Sequence, residues 1–309
     1  MKRICLIVSL FVFAQLDVRA QEFIPLYEGA IPKNKPGNLK SERKETSPEG
    51  KEKFMDITEP GLMVYLAPAS KANGVGVIIC PGTGYRNLQW TQEGTEAAQL
   101  LNQWGISAFV LKYRLPDEQT QTDKTVVPQM DVMRAVQLLR ERYKTWGLNP
   151  KKIGLMGFSA GGHAAGGAAA HFEQPLINNS GEISLRPDFL ILAYPVVSFQ
   201  DDIASKGTRE QLLGKVPEPA QLQYFSFEKA VSKKMPPTFI VHAKDDKLVK
   251  IDNSLRLIEA LEKNKIKYSH YFYDTGGHGF GIRNPANSIS WTSLLQQWLF
   301  DLEIISKKY

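Results

Sequence analysis

Apolar and polar positions alternate between two rhythms along this chain. Short apolar runs occur at Leu62–Leu66 (LMVYL), Val75–Cys80 (VGVIIC), Ile106–Leu111 (ISAFVL), Lys152–Gly157 (KIGLMG), Phe189–Tyr194 (FLILAY), Thr238–Ala243 (TFIVHA) and Tyr268–Tyr273. Each is strand-length, and several are apolar at every position, as strands buried on both faces are. Between them lie stretches with helical spacing: Trp90–Trp104, Val127–Tyr143, the segment through Ala170, Gly207–Gly214, Ala220–Phe227, Asp252–Glu262 and Ser288–Phe300. Residues 116–127 are polar and read as a loop. Strand and helix in alternation predict an α/β fold with a mostly parallel central sheet and helices on both faces.

The ends differ from this middle. Lys2 and Arg3 precede a mostly apolar stretch, Ile4–Leu16, and Val18-Arg19-Ala20 resembles a signal-peptidase site. That predicts a signal peptide over 1–20 and a secreted or periplasmic protein after cleavage near Ala20. Residues 21–53 are rich in Pro, Lys, Glu and Ser with little periodicity, and predict an extended lead-in that lies on the surface or is partly disordered. Residues 54–309 are then expected to form a single domain, with no repeat and no internal linker.

Composition changes this picture little. A chain of 309 residues has enough mass for a large core. Removing residues 1–20 takes away Cys5 and leaves Cys80 alone, so no internal disulfide is expected. The net charge of +6 is modest, and many cations (Lys33, Lys35, Lys40, Arg43, Lys44, Lys51, Lys53) fall in the polar lead-in, which argues against a nucleic-acid partner. Beyond Leu16 no stretch is long and apolar enough to cross a membrane. There is no H-E-x-x-H, no cysteine pair, no G-x-G-x-x-G after a strand and no G-x-x-x-x-G-K loop. Neither a metal nor a nucleotide cofactor is expected.

Chemistry concentrates at residues 157–162, GFSAGG, where a strand turns directly into a helix. G-x-S-x-G in that setting is a nucleophile elbow. The serine must leave the strand tip in a strained conformation, and Gly157 and Gly161 remove side chains that would collide with the turn. A serine hydroxyl needs a base, and the base needs an orienting carboxylate. The loop after TFIVHA offers Asp245 and Asp246. The D-x-x-V phrasing of Asp246–Val249 favours Asp246, with Asp245 the alternative. Of five histidines, His163 and His171 sit on the elbow helix, and His242 and His270 lie within strands. Only His278 follows the acid on a glycine-rich loop, which makes it the expected base. The backbone amide of Ala160 and the loop Gly82-Thr83-Gly84 are the expected oxyanion donors. Arg114 and Asp131 are expected to pair behind the sheet as scaffold.

These residues give the chain a resemblance. PLYEGAIP at 25–32, VIICPGTGY at 77–85, AFVLKYRLP at 108–116, WGLNPKKIGLMGFSAGGHAA at 146–165, PPTFIVHAKDDKLV at 236–249 and GGHGFG at 276–281 together resemble the secreted α/β-hydrolase esterases of the acetylxylan esterase group and related feruloyl-esterase-like proteins. The resemblance implies the α/β-hydrolase fold and a triad of Ser159, His278 and Asp246. It also implies an oxyanion hole from Ala160 and the Gly82–Gly84 loop, no cofactor, and an acylated carbohydrate such as acetylated xylan as substrate. Thr83 stands where the group usually has glycine, which bears on the acyl pocket. Tyr85, Trp90 and Phe280 are placed near the site and are expected either to stack on sugar rings or to serve as core aromatics. A peptidase on the same fold and a noncatalytic carbohydrate-binding protein are the competing readings. A lipase would want a larger apolar lid than the chain offers.

Overall fold

The computed structural model describes residues 22–37 and 40–306; the expected signal peptide lies outside the described residues. The strands are β1 (Glu22–Pro25), β2 (Arg43–Thr46), β3 (Glu52–Met55), β4 (Gly61–Tyr65), β5 (Gly76–Cys80), β6 (Ser107–Lys112), β7 (Ile153–Phe158), β8 (Phe189–Ala193), β9 (Thr238–Ala243) and β10 (Tyr268–Tyr273). The helices are α1 (Glu96–Gln103), α2 (Val127–Glu141), α3 (Ser159–Ala170), α4 (Lys206–Leu213), α5 (Pro219–Phe225), α6 (Asp252–Lys263) and α7 (Trp291–Asp301).

Eight strands form one sheet in the order β1-β4-β6-β5-β7-β8-β9-β10. From β6 to β10 every neighbouring pair is parallel. β4 and β1 continue the other edge antiparallel. Alternation within the parallel strands divides the core into two layers. Ile78, Phe109, Leu111, Leu155, Leu190, Leu192 and Ile240 face one side, where α2, α3 and α6 pack. Val77, Ile79, Val110, Met156, Ile191, Phe239 and Val241 face the other, covered by α1 and α7. The strands β5 to β9, covered on both faces, are buried at every position, which is why they are nearly all apolar.

The chain runs from β5 out to β6, then crosses back to β7 on the other side of β5. That reversal is the topological switch point, where the loops leaving β5 and β7 part and open a crevice.

Two expectations are corrected here. The lead-in is part of the fold. Its Phe23 and Ile24 pair with Met63 and Leu62 at the sheet edge, and β2 and β3 form a hairpin. The expected Arg114–Asp131 pair explains part of this. Arg114 Nη2 lies 2.6 Å from Asp131, and both are fully buried. Tyr27 donates its hydroxyl to Asp131 at 2.8 Å, and Arg114 reaches the carbonyl of Pro32 and Oδ1 of Asn34. The buried ion pair thus ties the N-terminal segment down. Second, the helical stretch from Trp90 is not one α-helix. Trp90–Thr95 is a π-helical turn, and α1 begins only at Glu96.

Candidate active site

The turn from β7 into α3 puts Ser159 at a φ of 51°, in the left-handed region that L-residues avoid. The turn is crowded. A Cβ on Gly157 would fall 2.6 Å from the carbonyl oxygen of Gly161 and 2.7 Å from the Cα of Gly162, closer than packed atoms approach. A Cβ on Gly161 would strike the Cys80 and Pro81 carbonyls of the neighbouring strand end. Only glycine lets the elbow seat against β5. The Ser159 carbonyl accepts the N–H of Val196, fastening the elbow to the segment after β8.

The side chains meet at the carboxyl edge of the sheet. Ser159 Oγ lies 2.8 Å from His278 Nε2. His278 Nδ1 lies 2.6 Å from Asp246 Oδ2. The carboxylate accepts, so Nδ1 carries the proton and Nε2 is left to accept from the serine hydroxyl. Asp246 Oδ1 accepts the N–H groups of Leu248 and Val249, each at 2.9 Å. Burial raises the Asp246 carboxyl. Hydrogen bonds from His242 and His278, the charge of His278 and the Val249 amide outweigh it and hold the group well below the usual carboxylate range.

Asp245 has a different position. Its carboxylate accepts from the N–H of Gly277 at 2.8 Å and of Gly276 at 3.2 Å, bracing the loop that carries His278. It makes no contact with the imidazole. The strand histidine His242 is fully buried. Its Nε2 faces both Asp246 Oδ2 and the Val249 carbonyl, so it is the protonated nitrogen, and Ser254 bonds its Nδ1. The sequence placed it within a strand. Its contact with the acid was not legible, because strand spacing alone does not say which loop folds over a strand end.

Opposite the elbow, the loop after β5 curls tightly: Thr83, Gly84 and Tyr85 have φ of 137°, 55° and 61°. Gly82 sits against the elbow, where a Cβ would lie 2.8 Å from the Cβ of Ser159. The expectation that Gly82 donates to an oxyanion is corrected: its N–H is bound to Glu93 Oε2 at 2.7 Å. The amides of Thr83 and Gly84 have no partner among the described residues. The amide of Ala160 belongs to the first turn of α3, where no carbonyl one turn earlier can accept it. The positive end of that helix favours negative charge at the same place.

The three aromatic residues are core, not platforms. Tyr85 is 1% exposed and bonds His163 Nδ1 through its hydroxyl at 2.8 Å. The carbonyl of Phe225 holds the proton of His163 on Nε2, so Tyr85 is the donor. Trp90 packs edge-on against Phe54, and Phe280 against Tyr194 and Tyr273. A polar cleft of about 380 Å³, lined by Arg86, Pro116, Asp117, Gln119, Thr120 and Gln211 among others, begins at the Tyr85–Arg86 turn that follows Gly84. Among the described residues no group of His, Cys, Asp and Glu could hold a metal ion.

A mostly parallel sheet, a strained serine at its switch point, and an acid and a histidine on the loops after β9 and β10 define an α/β-hydrolase. The chain belongs to the BD-FAE family, which it matches over residues 62–261. The crystal structure of an acetyl ester-xyloside bifunctional hydrolase from Caldicellulosiruptor lactoaceticus superposes with a TM-score of 0.78 at 32% identity, covering 92% of this chain and 97% of that one. The acetylxylan esterase of Xylanibacter ruminicola is 34% identical over 224 residues, which are 71% of this chain and 44% of that protein. Endo-1,4-beta-xylanase B of Butyrivibrio fibrisolvens is 35% identical over 224 residues, 70% of this chain and 34% of that protein. The chain thus spans less than half the length of these two curated relatives.

Proposed function

We propose that this protein is a serine carboxylesterase that removes acetyl groups from xylan or xylo-oligosaccharides. The observation that carries the reading is the unbroken hydrogen-bond chain from Ser159 through His278 to Asp246, set beside unpartnered backbone amides. The similarity to an acetylxylan esterase and to an acetyl ester-xyloside hydrolase supports the substrate class.

The mechanism follows from the directions of the hydrogen bonds. Ser159 Oγ attacks the ester carbonyl carbon as His278 Nε2 takes its proton. Asp246 holds Nδ1–H and steadies the imidazolium. The carbonyl oxygen becomes an oxyanion and accepts from the amides of Ala160 and of Thr83 or Gly84. The ester C–O bond then breaks, and the sugar oxygen leaves with the proton from Nε2. Water then gives a proton to Nε2 as its oxygen attacks the acyl carbon; the bond from that carbon to Ser159 Oγ breaks, Nε2 returns the proton to Oγ, and acetate leaves.

We also propose export, with residues 1–20 removed; amino-terminal sequencing of the exported protein starting at Gln21 is the expected result. The functional test is acetate release from acetylated xylan, an acetylated xylo-oligosaccharide and a small aryl acetate. Release from the xylan substrates is expected. Release from the aryl acetate alone would assign the natural ester to another class.

A further inference from the structure

The π-helical turn Trp90–Thr95 takes no part in the triad, yet it touches both halves of the site. π-turns displace side chains from the α-helical rows and recur at functional sites. Here the displaced residue is Glu93, 4% exposed. Its Oε2 accepts the N–H of Gly82 at 2.7 Å, and its Oε1 accepts the hydroxyl of Tyr194 at 2.8 Å. The Tyr194 oxygen in turn accepts the N–H of Gly281 at 3.0 Å. The neighbouring Gln92 donates its side-chain amide to the carbonyl of Gly279 at 2.6 Å. One turn of helix therefore grips the oxyanion loop on one side and the residues after His278 on the other. Tyr194 itself has a φ of 38°, and its ring meets the His278 imidazole edge-on, centroids 4.9 Å apart.

For folding alone, this is an expensive arrangement. No Lys or Arg pairs with Glu93 among the described residues, and a buried carboxylate without a cation is costly. Burial raises its carboxyl, against the pull of the Gly82 amide, the Tyr194 hydroxyl and the charge of His278. The polarity is also fixed. Gly82 can only donate, and the Tyr194 hydroxyl, which receives the Gly281 N–H, donates to Oε1 of Glu93. Both oxygens of residue 93 must accept, which a carboxylate does and an amide cannot.

We infer that Glu93 is a positioning residue: its carboxylate fixes the oxyanion loop relative to the histidine loop, so that Ser159, His278 and the free amides hold register during acyl transfer. The inference rests on the esterase reading above.

The test measures kcat and KM for an aryl acetate, with active sites counted by the initial burst. The chains compared are the parent, Glu93→Gln and Tyr194→Phe. Misplacement of a reacting group by about 1 Å costs on the order of 100-fold. Glu93→Gln is expected to lose roughly 10- to 100-fold in kcat per counted site, with KM within about threefold. Tyr194→Phe keeps the ring and the Glu93–Gly82 bond, and is expected to lose about three- to tenfold. A merely structural role would lower the number of counted sites and leave kcat per site unchanged. That result for Glu93→Gln, or for Tyr194→Phe should Glu93→Gln not fold, would overturn the inference. A parent without turnover would overturn the esterase reading and the clamp with it; an active parent beside an unaffected Glu93→Gln overturns the clamp alone.

Discussion

Asp246 receives His242 Nε2 at 3.1 Å on the same oxygen that holds His278. Its other oxygen takes two backbone amides. The Asp246 carboxylate is therefore fixed from three directions, whereas its neighbour Asp245 grips the backbone of the loop that carries His278.

This difference separates two adjacent carboxylates by experiment. Asp246→Asn turns an obligate acceptor into a group that presents an amide to the imidazole, favouring the wrong tautomer. A loss of roughly 10⁴-fold in kcat is expected, as for other triad acids. Asp245→Asn keeps one acceptor for the loop amides and is expected to lose less than about tenfold. Steady-state kinetics on an aryl acetate checks both. The reverse ranking would make Asp245 the acid.

How much of this was legible beforehand varies by residue. The strands β5 to β9 were readable because every position is buried and nearly all are apolar. Ser159 was readable because its strain demands glycine on either side, and His278 because it alone follows the acid on a flexible loop. β2, with sequence RKET, is exposed at every position and has no apolar period to read. Glu93 was hidden for another reason: a single charge in a helical stretch reads as solvated, and only the π-turn and the Tyr194 hydroxyl reveal it as buried. For Tyr85, Trp90 and Phe280, chain position does not tell which way a ring points, and all three rings are buried.

Buried His163 predicts an acid-sensitive fold. Burial lowers its pKa from 6.5 to about 4, only partly offset by its bond to the Phe225 carbonyl. Below 6.5 the unfolded chain takes a proton that the folded chain refuses, so stability falls as pH falls. The loss is complete near pH 4 and amounts to about 3 kcal/mol. Asp246, held below its ordinary 3.8, adds a further loss of the same sign in more acid solution. Glu93, raised by burial, acts oppositely and gains stability as pH falls through its folded value. Urea unfolding from pH 7 to 4 should show a steeper decline for the parent than for His163→Gln. Equal slopes would contradict the assignment.

Thr83 has a φ that glycine would adopt without strain. Thr83→Gly is expected to relieve on the order of 1 kcal/mol of backbone strain. It also removes a Cβ from the loop that faces Ser159 through Gly82. Butyrate esters should gain on acetate esters by about threefold or more in kcat/KM. An unchanged ratio would show that Thr83 does not border the acyl group.

The Arg114–Asp131 pair predicts a scaffold effect without a catalytic one. Asp131→Ala leaves a buried guanidinium and the Tyr27 hydroxyl unpaired, and should cost about 3–5 kcal/mol. Denaturant unfolding reads this directly. The folded fraction should keep kcat within about twofold, because the pair makes no contact with the triad.

The central claim is that Ser159 carries the reaction. Its most direct measurement is acetate release from acetylated xylan by the parent chain and by Ser159→Ala, with both shown folded by thermal unfolding. The parent is expected to release acetate, and Ser159→Ala is expected to fall by at least about 10⁴-fold while unfolding at a similar temperature. Turnover retained by Ser159→Ala would contradict the account.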